Sequence, residues 1–321
     1  MSQPAREPRP RVVTACPQCR SAGGDPFTEA VDPLSDTDFR VVRCRDCRLV
    51  YLSPRPRDED LGLYYPEGYY GRRHRAFSAF FTGLRVRVLP YLRPGGRVLD
   101  IGCGHGEFLL ACRGRGWEVM GVEQEGAPIM ELRSSLGLEV ITTGHLAEIP
   151  DASFDVVTMW HALEHMTAPR EVVGQAVRLL RPGGTLIVEV PNLGSWQARM
   201  GPRFWFHLDA PRHLVHFERD TLGAMLEAEG LTPQTWATFS AEYDAFGVLQ
   251  SLLNRVCDTH AYLFQFLIDR HQPGSWRDVA VTVLATPPLT VVAVVAAVVA
   301  PLFGQGGVLR VVSSKRDCAG G

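Results

Sequence analysis

Net charge is almost absent from this chain: 33 Lys and Arg stand against 35 Asp and Glu, leaving −2 over 321 residues. That excludes the global basic field by which nucleic-acid binders hold a phosphate backbone, and no nucleic-acid partner is expected. An apolar leader is lacking too. The opening MSQPAREPRPR carries Pro and Arg but no hydrophobic run, so no signal peptide is read there and residues 1–15 are expected to be a disordered tail. Cysteine is sparse, eight in all, far from the density of a disulfide-built domain. A cytoplasmic location, where thiols stay reduced, is the expectation. Charge of either sign disappears over residues 279–309.

Four of the cysteines form two C-x-x-C units, Cys16 with Cys19 and Cys44 with Cys47, with 24 residues between the units. Two such knuckles supply four thiolates for a tetrahedral Zn2+ and leave no open position for substrate. A structural zinc ribbon is expected over 16–56, redox or unliganded pairs being the alternative. Residues 57–96 read as a linker and helical cover, with Tyr64, Tyr65, Tyr69 and Tyr70 ahead of a helix over 74–92.

The stretch RVLDIGCGHGEF, residues 97–108, organises the rest. Val98, Leu99 and Ile101 make a short apolar run of the kind a buried parallel strand uses. Asp100 sits near its end. Gly102, Gly104 and Gly106 then alternate around Cys103 and His105, and a helical pattern begins at Glu107. Glycines let the chain turn sharply and let a ligand lie on bare backbone, and the helix start offers free N–H groups. A second strand ends at Glu123, 19 residues after Gly104. A carboxylate there can accept both hydroxyls of a ribose. The dinucleotide fingerprint G-x-G-x-x-G is not matched. Further strands are expected at 138–141, 154–159, 185–191 and 231–239, and the alternation of strands with helices gives an α/β, doubly wound parallel sheet.

The D-x-G-x-G-x-G run, the acid after strand two, the FDVV strand and the RPGG turn, in that order, resemble class I S-adenosylmethionine (SAM) methyltransferases over residues 90–240. The resemblance implies a seven-stranded Rossmann-like core at 97–240, whose last strand, antiparallel in relatives, lies at 307–316. It implies SAM as cofactor, with Asp100, Gly102, Cys103, Gly104 and Gly106 at its methionine part and Glu123 at the ribose. His145 and Leu146 would line the adenine, and Trp160 would border the cofactor. Relatives usually carry an acid where His145 stands. The L-E-H at 163–165 resembles the segment after strand four in a group that includes quinone-biosynthesis enzymes. CRDCRLVYLSPRP, residues 44–56, is similar to the zinc ribbon of some bacterial methyltransferases that act on sugars. The implied acceptor is a small molecule, a sugar or glycan-type group, or a lipid-linked compound. A SAM-binding or zinc-ribbon scaffold without catalysis is the alternative.

Residues 192–217 are rich in aromatic and imidazole groups and are expected to wall the acceptor pocket. His165, His207 and His213 are the candidate bases, because imidazole titrates near neutrality. His161 and His165, four apart, are expected to share one face of a helical turn, with no third metal ligand evident. Residues 241–306 read as a helical apolar insertion. Pro287 and Pro288 divide the uncharged run, so a hairpin bent at the prolines is expected, lying on or dipping into a membrane through 279–303. That contact would make the enzyme peripheral at the inner face. A dimer contact or a core segment is the alternative.

Overall fold

The computed structural model describes residues 10–35, 37–65, 82–88, 95–124, 127–267 and 275–316. Tyr69, Tyr70 and most of the expected helix at 74–92 lie outside them. All seven expected strands of the main sheet form. They are β6 (Arg97–Ile101), β7 (Glu118–Glu123), β8 (Glu139–Thr142), β9 (Phe154–Trp160), β10 (Leu180–Pro191), β12 (Leu231–Ala237) and β13 (Val308–Lys315). Their order across the sheet is β12-β13-β10-β9-β6-β7-β8. The ladders β8–β7–β6–β9–β10 are parallel, and β13 runs antiparallel to both β10 and β12. Helices α1 (Glu107–Arg113), α2 (Ala127–Leu136) and α3 (Pro169–Leu179) make the crossovers between the parallel strands. β6 and β9 are neighbours although two strands separate them in sequence. That reversal of order is the switch point outside which open α/β sheets bind ligands.

The amino-terminal part is a second sheet, beside a short antiparallel pairing of β1 (Arg11–Val12) with β5 (Arg55–Pro56). β2 (Gly24–Asp32), β3 (Thr37–Cys44) and β4 (Val50–Leu52) form an antiparallel meander. Its fourth strand is β11 (Val215–His216), drawn from the segment expected to wall the acceptor pocket. Val215 pairs with Tyr51, His216 with Val50, and the Leu52 N–H donates to the Leu214 carbonyl at 2.9 Å. Phe39, Leu49 and Leu52 of the meander share one apolar cluster with Leu163, Leu193, Leu208 and Phe217. At about 1.5–3 kcal/mol for each large apolar side chain buried, this shared core holds the ribbon against the main sheet.

The carboxy-terminal insertion departs from expectation. Past the short helix α4 (Trp196–Arg199) and α5 (Arg219–Ala228), helices α6 (Asp244–Leu253) and α7 (Tyr262–Leu267) fall where helical runs were expected, but the hairpin does not form. Residues Trp276–Val299 are one continuous helix, α8, with Pro287 and Pro288 inside it. Each proline removes a helical hydrogen bond and crowds the carbonyl four residues back, a cost of about 3 kcal/mol. Two features offset this. Ala285, Leu289, Ala293 and Ala296 pack on Val248, Leu249 and Leu253 of α6 on both sides of the interruption. Both prolines, with Val283 and Leu284 four residues earlier, face outward, where the backbone can splay.

Candidate active site

The glycine loop leaves β6 and enters α1. Gly102, Gly104 and Gly106 all have positive φ (77°, 54° and 75°), the left-handed region that favours glycine. Their surroundings differ. A Cβ on Gly102 would fall 2.5 Å from the Ala162 Cβ, and one on Gly106 would fall 2.7 Å from Leu132 and Leu138. Only Gly104 faces open space. Two of the three glycines therefore serve close packing, and Gly104 supplies the bare backbone. Its N–H donates to Glu123 Oε2 at 2.8 Å, while Glu123 Oε1 accepts from the Gln124 N–H at 2.8 Å. The carboxylate at the end of β7 is thus fastened to the loop, and each oxygen keeps a lone pair for a further donor. Cys103 is buried beneath the loop, where burial raises its thiol pKa well above the usual value. His145 is exposed and paired with the Thr142 hydroxyl at 2.6 Å, beside the buried Leu146.

Asp100 is buried, and burial pushes its pKa up to about 7 against the opposing pull of the Thr158 hydroxyl, 2.6 Å away, and of Arg85. Trp160 is buried with its ring edge on Phe108. Among the described residues its indole N–H has no hydrogen-bond partner, and the guanidinium groups of Arg85 and Arg310 lie 5.6 and 5.8 Å from the ring centre. Arg85 comes from the helical turn at 82–86 and also pairs with Glu242 at 2.7 Å. The sequence reading missed it, because one arginine in an aromatic-faced helix looks like a solvated surface charge.

Past β9 the two histidines part company. His161 is not on a helical turn: it has φ +50° and points toward β10. Its Nε2 lies 3.1 Å from Glu189 Oε1, and its Nδ1 lies 3.4 Å from Glu164 Oε1. Its ring sits 3.9 Å from that of Tyr243. Burial alone would lower the His161 pKa, but the two carboxylates more than offset this and carry it up to about 9. Glu189 would be raised by burial, yet His161, Arg310 and Arg85 hold it at about 2. His161 is therefore held toward its charged form between two carboxylates, which disfavours it as a base.

His165 turns the other way. Its Nδ1 lies 2.9 Å from the Tyr65 hydroxyl and 3.0 Å from the Arg212 carbonyl, and its ring stands 4.7 Å from that of His213. His213 Nδ1 lies 2.8 Å from the His207 carbonyl. With Nδ1 donating to a carbonyl in each ring, both Nε2 atoms are left as acceptors. Glu164 is buried, and neither of its oxygens has a hydrogen-bond partner, since the approach of His161 is too poorly aligned. Ligand atoms of Glu164, His165 and His213 fall within 4.8 Å of one another, a donor set that suits a divalent cation. The set is not the His161 and His165 pair weighed in the sequence: His161 is outside it, and Glu164 and His213 join His165 instead. His213 is held well below its usual pKa by burial and by His165. His207, the third expected base, lies outside this group. Burial, then the charge of His161, lowers it to about 3. Its Nε2 faces Gly247 without a partner.

The four cysteines converge. Cys16 Sγ lies 3.4 Å from Cys47 Sγ and Cys19 Sγ 3.5 Å from Cys44 Sγ, with all four sulfurs within 4.8 Å. Arg20 and Arg48, each directly after a knuckle, have matching φ of 61° and 66°. The two knuckles are therefore local copies of one turn, each aiming its sulfurs inward.

A family model described as "Methyltransferase domain" matches residues 72–235, just over half of the chain. A probable S-adenosylmethionine-dependent methyltransferase of Mycolicibacterium smegmatis is 34% identical over 130 residues, 39% of this chain and 47% of that protein. The ubiquinone biosynthesis O-methyltransferase of Hahella chejuensis is 36% identical over 106 residues, 31% of this chain and 44% of that protein. The chain thus spans under half the length of these curated relatives. A solved SAM-dependent methyltransferase from Archaeoglobus fulgidus aligns with 75% of this chain and 99% of its own at 20% identity, with a TM-score of 0.48. By its family match, the chain belongs to the methyltransferase-domain family of SAM-dependent enzymes.

Proposed function

We propose that this protein transfers the methyl group of SAM to a small-molecule, glycan-type or lipid-linked acceptor held between the glycine loop and the 192–217 segment. The observation that carries the reading is Glu123, fastened to the Gly104 N–H at the switch point of the sheet with lone pairs to spare for a ribose. Arg85 is suited to the carboxylate at the amino-acid end of SAM, as a half-buried cation beside Asp100 and Trp160. Methyl transfer from a sulfonium needs the acceptor aligned with the methyl and water kept out. His165 is the base where the acceptor must lose a proton: its Nε2 is an open acceptor, and Tyr65 and the Arg212 carbonyl fix its ring. The Cys16, Cys19, Cys44 and Cys47 cluster is read as a closed structural Zn2+ site in a cytoplasmic enzyme. The test is label transfer from methyl-labelled SAM into a cell extract, with the product identified. Absence of both SAM binding and labelled product would overturn the proposal.

A second reading of the acceptor side rests on Glu164, whose buried carboxylate makes no aligned hydrogen bond among the described residues and has only the His161 ring, at 3.4 Å, to offset its charge. A divalent cation on Glu164, His165 and His213 would satisfy it and draw an acceptor oxygen toward the methyl. Titration of Mg2+, Mn2+ or Zn2+ into the protein, followed by calorimetry, separates this reading from a plain imidazole base.

A further inference from the structure

We infer that α8 is a bilayer-docking element, lying flat in the headgroup boundary of an anionic membrane. The inference stands apart from the methyl-transfer reading, since docking requires no turnover. The helix has 24 residues, about 36 Å at 1.5 Å per residue, which would suffice to cross a bilayer. Its ends forbid that. At the amino end the buried Asp278 carboxylate accepts from the Asp258 N–H at 2.7 Å and the Thr259 hydroxyl at 2.8 Å. At the carboxyl end the Asn192 side chain donates to the Gly306 carbonyl at 2.8 Å, and the chain enters β13 between β10 and β12. Both ends belong to one folded body, so the helix runs along its surface.

One face of α8 packs on α6, and among the described residues the opposite face is largely exposed. Val283, Leu284, Val291, Val298, Leu302 and Phe303 of the helix and the turn after it are each 60% exposed or more. A soluble monomer rarely leaves so long an apolar strip in water. Three features select lipid as its cover. First, no charged residue lies between 279 and 309, and the exposed Thr290 hydroxyl already donates to the Thr286 carbonyl at 2.7 Å. A protein interface carries about one hydrogen bond per 100–200 Å2, and this strip has nothing of that kind to orient a partner. Second, indoles mark its ends. Trp276 is 83% exposed at one, and Trp196 stacks on Phe303 at 5.9 Å at the other. Aromatic rings of this type settle at the membrane–water boundary. Third, Arg199, Arg203 and Arg255 are exposed, the first two flanking Met200 in the chain. Arg255 donates to the carbonyl of Met200, which shares a cavity with Val292 and Ala296 of α8. Cations flanking an apolar strip match anionic headgroups above acyl chains.

The experiment is flotation of the full-length protein with vesicles of phosphatidylcholine, alone or with about one third phosphatidylglycerol. The protein is expected to float with the mixed vesicles and much less with the neutral ones. Val291→Glu with Val298→Glu, and separately Leu284→Glu, should cut the floated fraction about tenfold while SAM affinity and circular dichroism stay unchanged. Arg199→Gln with Arg203→Gln should bring binding to mixed vesicles down to the neutral-vesicle level. A wild-type protein that floats with neither vesicle overturns the inference. So does a dimer by light scattering that the Glu variants split without any vesicle binding, in which case a second copy covers the strip.

Discussion

Arg212 and Asp32 stand 180 residues apart in the chain and 3.0 Å apart in the fold, both buried. Arg212 comes from the acceptor-side segment and Asp32 from the end of β2. Asp209 completes the pair by accepting from the same guanidinium at 2.6 Å, and the Arg212 carbonyl meets His165. Removing one member leaves an uncompensated buried charge. Arg212→Met is expected to cost about 3–5 kcal/mol of stability, read by denaturant unfolding. Asp32→Asn should act in the same direction with a smaller loss. An unchanged unfolding midpoint in both would show that the ribbon and the acceptor segment are not joined through this pair.

Metal analysis should find about one zinc per chain, and chelation should lower the melting temperature. Because β11 belongs to both the ribbon sheet and the acceptor segment, metal loss should also raise the apparent KM for the acceptor. Cys44→Ser is expected to reproduce both effects. Equal stability of the metal-free and metal-loaded protein would remove zinc from the account.

Glu123→Ala and Arg85→Ala should each weaken SAM binding by about 2–3 kcal/mol, the scale of charge-assisted hydrogen bonds lost from a buried site. Calorimetric titration separates them. The ribose contact predicts that S-adenosylhomocysteine weakens in parallel with Glu123→Ala. SAM affinity that survives Glu123→Ala would remove the ribose role of that residue.

The pH profile of stability follows from the buried imidazoles. His161 has its pKa raised to about 9, so its contribution is complete below the unfolded value near 6.5 and is lost as pH rises through 9. His207, lowered to about 3, and His216 and His260, each lowered to about 4, stay neutral in the fold but charge when unfolded. They make stability fall as pH drops below 6.5. Asp100 and Asp244, raised by burial to about 7 and about 6, oppose this limb with fewer groups. The maximum is expected near pH 6.5. His161→Gln should flatten the alkaline limb and leave the acid limb in place, as measured by melting temperature across pH.

What could be read in advance was local. A parallel strand buried on both faces writes itself as an apolar run, so β6, β7, β9 and β10 were legible, as were the glycine turn and the cysteine knuckles. What could not be read was pairing at a distance. Val215 and His216 carry no mark that says they complete a sheet begun at Gly24. Nor does His161, next to β9, announce Glu189 at the end of β10 as its partner. The prolines misled for a related reason. Propensity reads each residue alone, while the packing of Ala285, Leu289, Ala293 and Ala296 on α6 acts on the whole helix at once.

The borrowed strand has a consequence for how the protein is made. On a ribosome, β2, β3 and β4 emerge early, yet the outer edge of β4 finds its partner only at Leu214, 162 residues after Leu52. At about 5–20 residues per second, that edge stays open for on the order of ten to thirty seconds. An open strand edge is a template for pairing with other chains. Until Leu214 has been made, the edge of β4 is therefore open to the wrong neighbours, and slower synthesis of that interval lengthens the exposure.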